Sequence, residues 1–286
     1  MSAVDWMNAI VATVFTAQVA LGLMVVFGVM KIINMAHGEF FMLGAFVMVV
    51  VDRLGVDLWL GILLAPLVLG AVGAAIERGI IRRLYVRRDL STLLVTFGLS
   101  IVLQQLIRLI FGPQSLSVGS PIEGSLAIFG TQYPSYRLVA AGISVAVTVA
   151  IAYAMYRTSW GIRVRATAES SSTASALGVN TGRMFSSTFA VGAGLAGLAG
   201  ALMAPFVGVN ALMGLEQTVR SFLVVITGGM GSIGGTVGGS VIIGGGQSVA
   251  GVWLSGSATQ LLVLGIAMLT ILLRPQGLFS RKTRIA

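Results

Sequence analysis

The chain of 286 residues is 56% hydrophobic and 9% charged, with a mean hydropathy of +0.97 and a formal net charge of +9. A soluble domain carries roughly 25% charged residues, so an ordinary soluble protein is excluded. The absence of cysteine and the single His37 exclude disulfides, thiolate metal sites and multi-histidine clusters. The charges are segregated: Met7–Met30, Leu58–Ile76, Leu90–Ile107, Leu138–Tyr156, Met184–Leu215 and Ser221–Leu273 contain none. Each stretch reaches or approaches the ~20 apolar residues that cross a hydrocarbon core of about 30 Å. The expectation is a single all-α polytopic membrane domain with about eight spans, seven to nine fitting the pattern.

No Lys or Arg precedes Lys31. The first apolar stretch therefore lacks the basic flank of a cleavable signal peptide and reads as a permanent span. Directly after it comes "KIINMAHGEF", Lys31 to Phe40. An ionisable residue at the bilayer centre costs ~2.5–3.5 kcal/mol on insertion scales. Asn34, His37, Gly38 and Glu39 are thus candidate residues of a broken helix beside a pathway, the alternative being a short connection at the headgroups. Phe40–Val51 offers about twelve uncharged residues, which fits a re-entrant or short tilted helix better than a full span.

Most basic residues fall in three groups: Arg78, Arg82, Arg83, Arg87 and Arg88; Arg157, Arg163, Arg165 and Arg183; Arg274, Arg281, Lys282 and Arg284. Each group flanks apolar spans as cytoplasmic loops do, so the positive charge reports topology rather than nucleic-acid binding. Between the first two groups Leu90–Ile107 leads out and Leu138–Tyr156 leads back, joined by a Gly-, Pro- and Ser-rich external loop, "FGPQSLSVGSPIEGSLAIFGTQYPSY". In the second basic loop, "RTSWGIRVRATAESSSTASALGVNTGR", Ala168–Leu177 reads as a short helix ended by Gly178. A short helix under a membrane domain between basic flanks suits docking of a cytoplasmic partner; a plain surface loop is the alternative.

Met184 to about Pro205 leads out again. Within it "VGAGLAGLAGAL" puts Gly192, Ala196 and Gly200 on one face with Ala193 and Gly197 beside them, the small-residue pattern of a packing seam. The uncharged Ser221–Leu273 would be about 80 Å long as one helix. It therefore makes three short crossings, or one crossing and a re-entrant piece. Glu216 reads as an interfacial partner of Arg220, one turn on.

"VVITGGMGSIGGTVGG" spaces Gly229, Gly231 and Gly234 as in a dinucleotide-binding fingerprint. That site needs a strand-turn-helix unit and an acidic residue about 20 positions on, and no Asp or Glu follows Glu216. Close packing or a broken helix along a pathway is the better reading, with Gly228, Gly229, Gly231 and Gly234 as candidates. Paired broken segments in the two halves of a chain are the best sequence pointer to a transporter's substrate site, and here the two broken segments are Asn34–Glu39 and Gly228–Gly239. A secondary transporter or channel would need intramembrane acids, for which Glu39 and Glu216 are the plausible residues. An intramembrane enzyme lacks both H-E-x-x-H and paired acids.

"INMAHGEFFMLGAF", "TFGLSIVLQQ", "GIRVRATAESSSTASALGVNTGR", "TFAVGAGLAGLAGAL", "VVITGGMGSIGGTVGG" and "LLRPQGLF" together resemble the permease subunits of branched-chain amino acid ABC importers, the LivH type, in order and spacing. The resemblance implies an inner-membrane complex of two permease subunits, this one with a LivM-like subunit or a second copy, on two cytoplasmic ATPases. A periplasmic binding protein delivers the ligand. It gives the loop around Glu169–Leu177 the coupling role, with Arg163, Arg165, Glu169, Ala174, Leu177 and Gly178 as contact candidates. No cofactor is expected in this chain: a P-loop needs Gly-Lys-Ser/Thr, whereas Lys31 follows Met30 and Lys282 follows Arg281. ATP then belongs to the partners, and the chain is not itself an enzyme. The substrate implied is a branched-chain or other apolar amino acid; the permeases of urea and short-chain amide importers are close relatives, and "INMAHGEF" fits them as well.

Overall fold

A computed structural model describes residues 1–85, 89–128 and 130–279. Arg87, Arg88, Arg281, Lys282 and Arg284, assigned to the basic flanks, lie outside the described residues. The helices are α1 (Ala3–Met30), α2 (His37–Arg53), α3 (Leu58–Gly79), α4 (Asp89–Phe111), α5 (Ser135–Arg157), α6 (Ser159–Glu169), α7 (Ser171–Ala176), α8 (Thr181–Met203), α9 (Met213–Gly228), α10 (Ile233–Ser240), α11 (Gly246–Ala250) and α12 (Gly256–Leu273). One antiparallel hairpin, β1 (Ser125–Ile128) with β2 (Thr131–Pro134), sits in the loop between α4 and α5. The all-α membrane architecture stands.

Among the described residues six helices are long and apolar enough to cross a membrane, and the pair α9 and α10–α11, bent by 117° at its break, makes up to a seventh. The expectation of about eight also counted shorter pieces. One of these is α2, whose 17 residues fall short of a full crossing. Its start lies deep in the bundle: the His37 ring bonds the carbonyl of Val19, about halfway along α1. α1 ends at Lys31 in the left-handed conformation, φ 52°. The non-helical residues 31–36 then climb back by about 16 Å, the helical rise from Val19 to Met30. The far end of α2 meets the external loop, where the Gly119 amide donates to Asp52.

Helix starts follow local chemistry. Ser2, Asp57, Thr158, Ser170, Asn180, Ser232 and Ser255 each accept a hydrogen bond from an orphan amide of the first turn.

α8 is the central post. It is buried over 72% of its most apolar window, as is α1, whereas α4, α5 and α12 are buried over 22%, 17% and 22% and form the rim. The glycine seam explains this. Gly192 meets the backbone of Gly22 on α1, Gly200 meets the Phe41 carbonyl on α2, Gly194 meets the Pro66 carbonyl on α3, and Gly44 of α2 meets the backbone of Gly197. Lipid gives apolar helices no reason to associate, so close backbone approach at small residues supplies the contact. The seam is not a single face, because small residues on three sides of α8 let three neighbours approach at once.

Candidate functional site

The broken segment before α2 is held by polar side chains from two other helices. Thr96 of α4 accepts from the Met35 amide at 3.1 Å, and its hydroxyl lies 3.1 Å from the Leu93 carbonyl and 3.3 Å from the Ile33 carbonyl. Thr218 of α9 accepts from the Gly38 amide at 2.9 Å and lies 3.4 Å from the Met35 carbonyl. Asn34 Oδ1 accepts from the Ala36 amide at 3.1 Å, while its Nδ2 has no protein partner. A carbonyl can only accept, so the 3.0 Å contact of His37 with Val19 places the proton on Nε2. Non-helical backbone at this depth is tolerated because protein satisfies it.

Glu39 is fully buried. Its Oε1 accepts from Ser100 Oγ at 2.7 Å and Gln104 Nε2 at 2.8 Å, both on α4. Its Oε2 faces Gly214 of α9 without a partner. Gly38 has no room for a Cβ between the Gly214 carbonyl and Thr218. Asn34, His37, Gly38 and Glu39 therefore form a packed polar joint among α1, α4 and α9, not the wall of an open cavity. The sequence reading missed the α4 side of this joint. Thr92, Thr96, Ser100 and Gln104 recur every fourth residue in an apolar span and are at most 8% exposed. That spacing places them on one face and was available as a signal.

The second glycine set behaves differently. α9 ends at Gly228, Gly229 and Gly231 take φ of 114° and 87°, and α10 folds back. This is helix-turn-helix, not the strand-turn-helix of a dinucleotide site. Gly228, Gly235 and Gly239 bring the two arms into backbone contact. Gly231 and Gly234, expected in a close contact or a broken helix, stand where the helix is broken, but neither makes a close contact, since a Cβ added at either would meet no atom within 4 Å. Gly231 is thus needed for its positive φ, and Gly234 for neither reason. Nor do the two broken segments meet. Asn34–Glu39 sits at the Gly214 end of α9 and the hairpin at its Gly228 end, about 21 Å apart along the helix. The tail closes that end: Leu278 and Phe279 donate their amides to the carbonyls of Thr227 and Gly228 at 2.9 and 3.1 Å. Gly277, φ 89°, packs on Gly229, and the Phe279 ring covers Gly238.

At the basic face, the second basic loop is two helices rather than one. Ser170, φ −151°, interrupts the expected Ala168–Leu177 helix and caps α7. Gly178, φ 84°, ends it as expected. Arg165 bonds the Met155 carbonyl and stacks on Tyr156, 5.5 Å from the ring centroid. Trp160 Nε1 donates to Ser187 Oγ at 3.0 Å, tying α6 to α8. Ala174, expected on a contact face, is 3% exposed and packs inward, whereas Leu177 is 80% exposed and Arg163 and Glu169 are also exposed. Beside this platform, fully buried Glu77 gathers Arg82 (3.1 Å), Tyr85 (2.6 Å) and Ser186, and Arg82 also donates to the Gly182 carbonyl at 3.1 Å. Burial, reinforced by the bond to Glu77, pushes the Tyr85 phenol well above its ordinary pKa. The cluster locks the end of α3 to the start of α8. Among the described residues Arg82–Glu77 is the one ion pair within 4.0 Å, so the expected Glu216–Arg220 bridge does not form.

A bundle of apolar helices around a glycine-lined post, with polar joints inside and a basic helical platform at one face, defines an integral membrane protein of the permease class. The chain belongs to the family described as branched-chain amino acid transport system / permease component, whose profile matches residues 6–272. It is 30% identical over 280 residues to the high-affinity branched-chain amino acid transport system permease protein LivH of Salmonella typhimurium, covering 93% of this chain and 91% of that one. LivH of Escherichia coli K12 is 29% identical and BraD of Pseudomonas aeruginosa, of the same description, 26%, each over the same shares. No solved structure matches the chain.

Proposed function

We propose that the chain is the membrane-spanning subunit of an ATP-driven importer of branched-chain amino acids, residing in the inner membrane. Its partners in this reading are two cytoplasmic ATPases, a second permease subunit and a periplasmic binding protein. The observation that carries it is the near full-length match to permeases of branched-chain amino acid transport systems, one of them at 30% identity. The basic-face platform supports it. α6 is anchored to α5 by Arg165 and to α8 by Trp160, and with α7 it leaves Ile162, Arg163, Glu169 and Leu177 exposed, the arrangement a docking surface needs.

Force from the ATPases would enter through α6–α7 and pass to α8 and α3 through Ser187 and the Glu77 cluster. The bundle then needs two packings of nearly equal energy, between which ATP and ligand select. Backbone contacts at glycine seams interlock few side chains and shift at low cost. Affinity purification of a tagged chain, expressed with its neighbouring genes, should recover ATPase and a second permease in fixed ratio. A well-folded chain that emerges alone would contradict the reading.

A further inference from the structure

Along the first half of α9, outside the packed joint, the surface opens into a cavity of about 420 Å³ whose polar lining is Glu216 and Arg220 of α9, Gln247 of α11 and Gln260 of α12. Two charged groups of opposite sign stand there one helical turn apart on a helix embedded in an apolar bundle. Ionisable residues within a membrane-spanning bundle are costly and by default mark a ligand or ion path. They form no ion pair with each other within 4.0 Å. Among the described residues, none of the four side chains hydrogen-bonds another protein group. The rest of the lining is aliphatic, including Val219 between the two charges and Leu223 one turn below. The cavity is walled by α9, α11 and α12 of this chain.

We infer that this cavity is the station where the permease holds a zwitterionic amino acid in transit. This assignment rests on the reading of the chain as an amino-acid permease and supplies the site that reading lacks. The Glu216 carboxylate receives the α-ammonium, and the Arg220 guanidinium offers its planar fork to the α-carboxylate. The amides of Gln247 and Gln260 serve either end, and the aliphatic lining takes a branched side chain. The opposed charges suit a ligand that carries both signs; a urea or amide would offer the same two groups only neutral hydrogen-bond partners, which pair with them more weakly. The asymmetry with Glu39 is informative: that carboxylate is enclosed by Ser100 and Gln104, whereas Glu216 is exposed.

The test uses the whole importer in proteoliposomes with labelled leucine and binding protein. Glu216→Gln and Arg220→Gln should each lower leucine uptake by about tenfold or more, the weight of a lost charge-assisted hydrogen bond, while the complex still assembles. Because the chain has no cysteine of its own, Val219→Cys provides an independent readout in a complex whose other subunits lack cysteine. A charged, water-soluble thiol reagent should modify it, and leucine with binding protein and ATP should slow the modification. Val149→Cys, 61% exposed midway along the rim helix α5, is the control away from the cavity and should stay unreactive. Normal uptake by both glutamine variants, or a Val219→Cys as inert as the control, would overturn the assignment. A complex that imports no leucine even unmodified would instead defeat the functional reading, and the thiol labelling would still decide whether the cavity faces water or lipid.

Discussion

Glu39 Oε1 accepts a hydrogen bond from Ser100 Oγ at 2.7 Å, joining a helix that starts inside the bundle to a span that crosses it completely. The pair explains how a carboxylate and a stretch of non-helical backbone persist among apolar helices. Removing the hydroxyl should expose that dependence. Ser100→Ala and Gln104→Ala should each destabilise the purified chain by about 1–3 kcal/mol, the cost of leaving a buried charged or polar group short of a partner. The double variant should cost less than the sum, since both donors serve one oxygen. Thermal unfolding in detergent measures all three.

The glycines divide sharply by what surrounds them. Gly44→Ala would drive a methyl into the Gly197 backbone, and Gly200→Ala into the Phe41 carbonyl. Each should cost about 1–3 kcal/mol or more by overpacking and lower the yield of folded protein. Gly234→Ala meets open space on a helix and should be neutral or stabilising by about 0.5–1 kcal/mol. Gly231→Ala, at φ 87°, should destabilise through the backbone alone, by about 1–2 kcal/mol. Unfolding midpoints for the four variants check the order.

Arg82 is the counter-ion of a fully buried glutamate, although its own side chain is 42% exposed. Arg82→Met should strand Glu77 and destabilise by about 1–3 kcal/mol, less than the roughly 3–5 kcal/mol of a wholly buried pair because water screens the arginine side. Adding Glu77→Gln should recover part of the loss. The comparison of single and double variants by unfolding midpoint decides whether the ion pair or merely packing is at stake.

The basic-face platform separates docking from folding. Leu177→Arg changes an exposed side chain and should weaken ATPase co-purification without altering the unfolding midpoint of the isolated chain. Ala174→Arg forces a long charged group into a buried position and should lower that midpoint. If both variants bound ATPase normally, α7 would not be the contact.

The fold class and the packing role of the α8 glycines were legible because hydropathy, charge segregation and small-residue spacing are one-dimensional signals. The break at Asn34–Glu39 was legible for the same reason: polar groups stood where an apolar run should have continued. What covers the break was not, since Thr96, Ser100, Gln104 and Thr218 come from helices about 60 to 180 residues away, and their joint presence follows from tertiary packing. That α9 holds Asn34–Glu39 and Gly228–Gly239 at opposite ends was not legible either, because the pattern marks the two breaks and not the distance between them. Ala174 was misplaced because an Ala- and Ser-rich helix has no strong apolar face, so the interruption at Ser170 sets which side turns inward. The tail "LLRPQGLF" carried no physical meaning until Leu278 and Phe279 were seen to cap α9.

The central claim is that this chain forms the path for a branched-chain amino acid and that partners supply the energy. Uptake of labelled leucine into proteoliposomes, with the chain assembled with its ATPases, second permease and binding protein, tests it most directly. The account expects uptake that requires ATP, is abolished by vanadate and is unaffected by a protonophore. Leucine uptake by this chain alone, or an ATP-hydrolysing complex that moves no branched-chain amino acid, would contradict it.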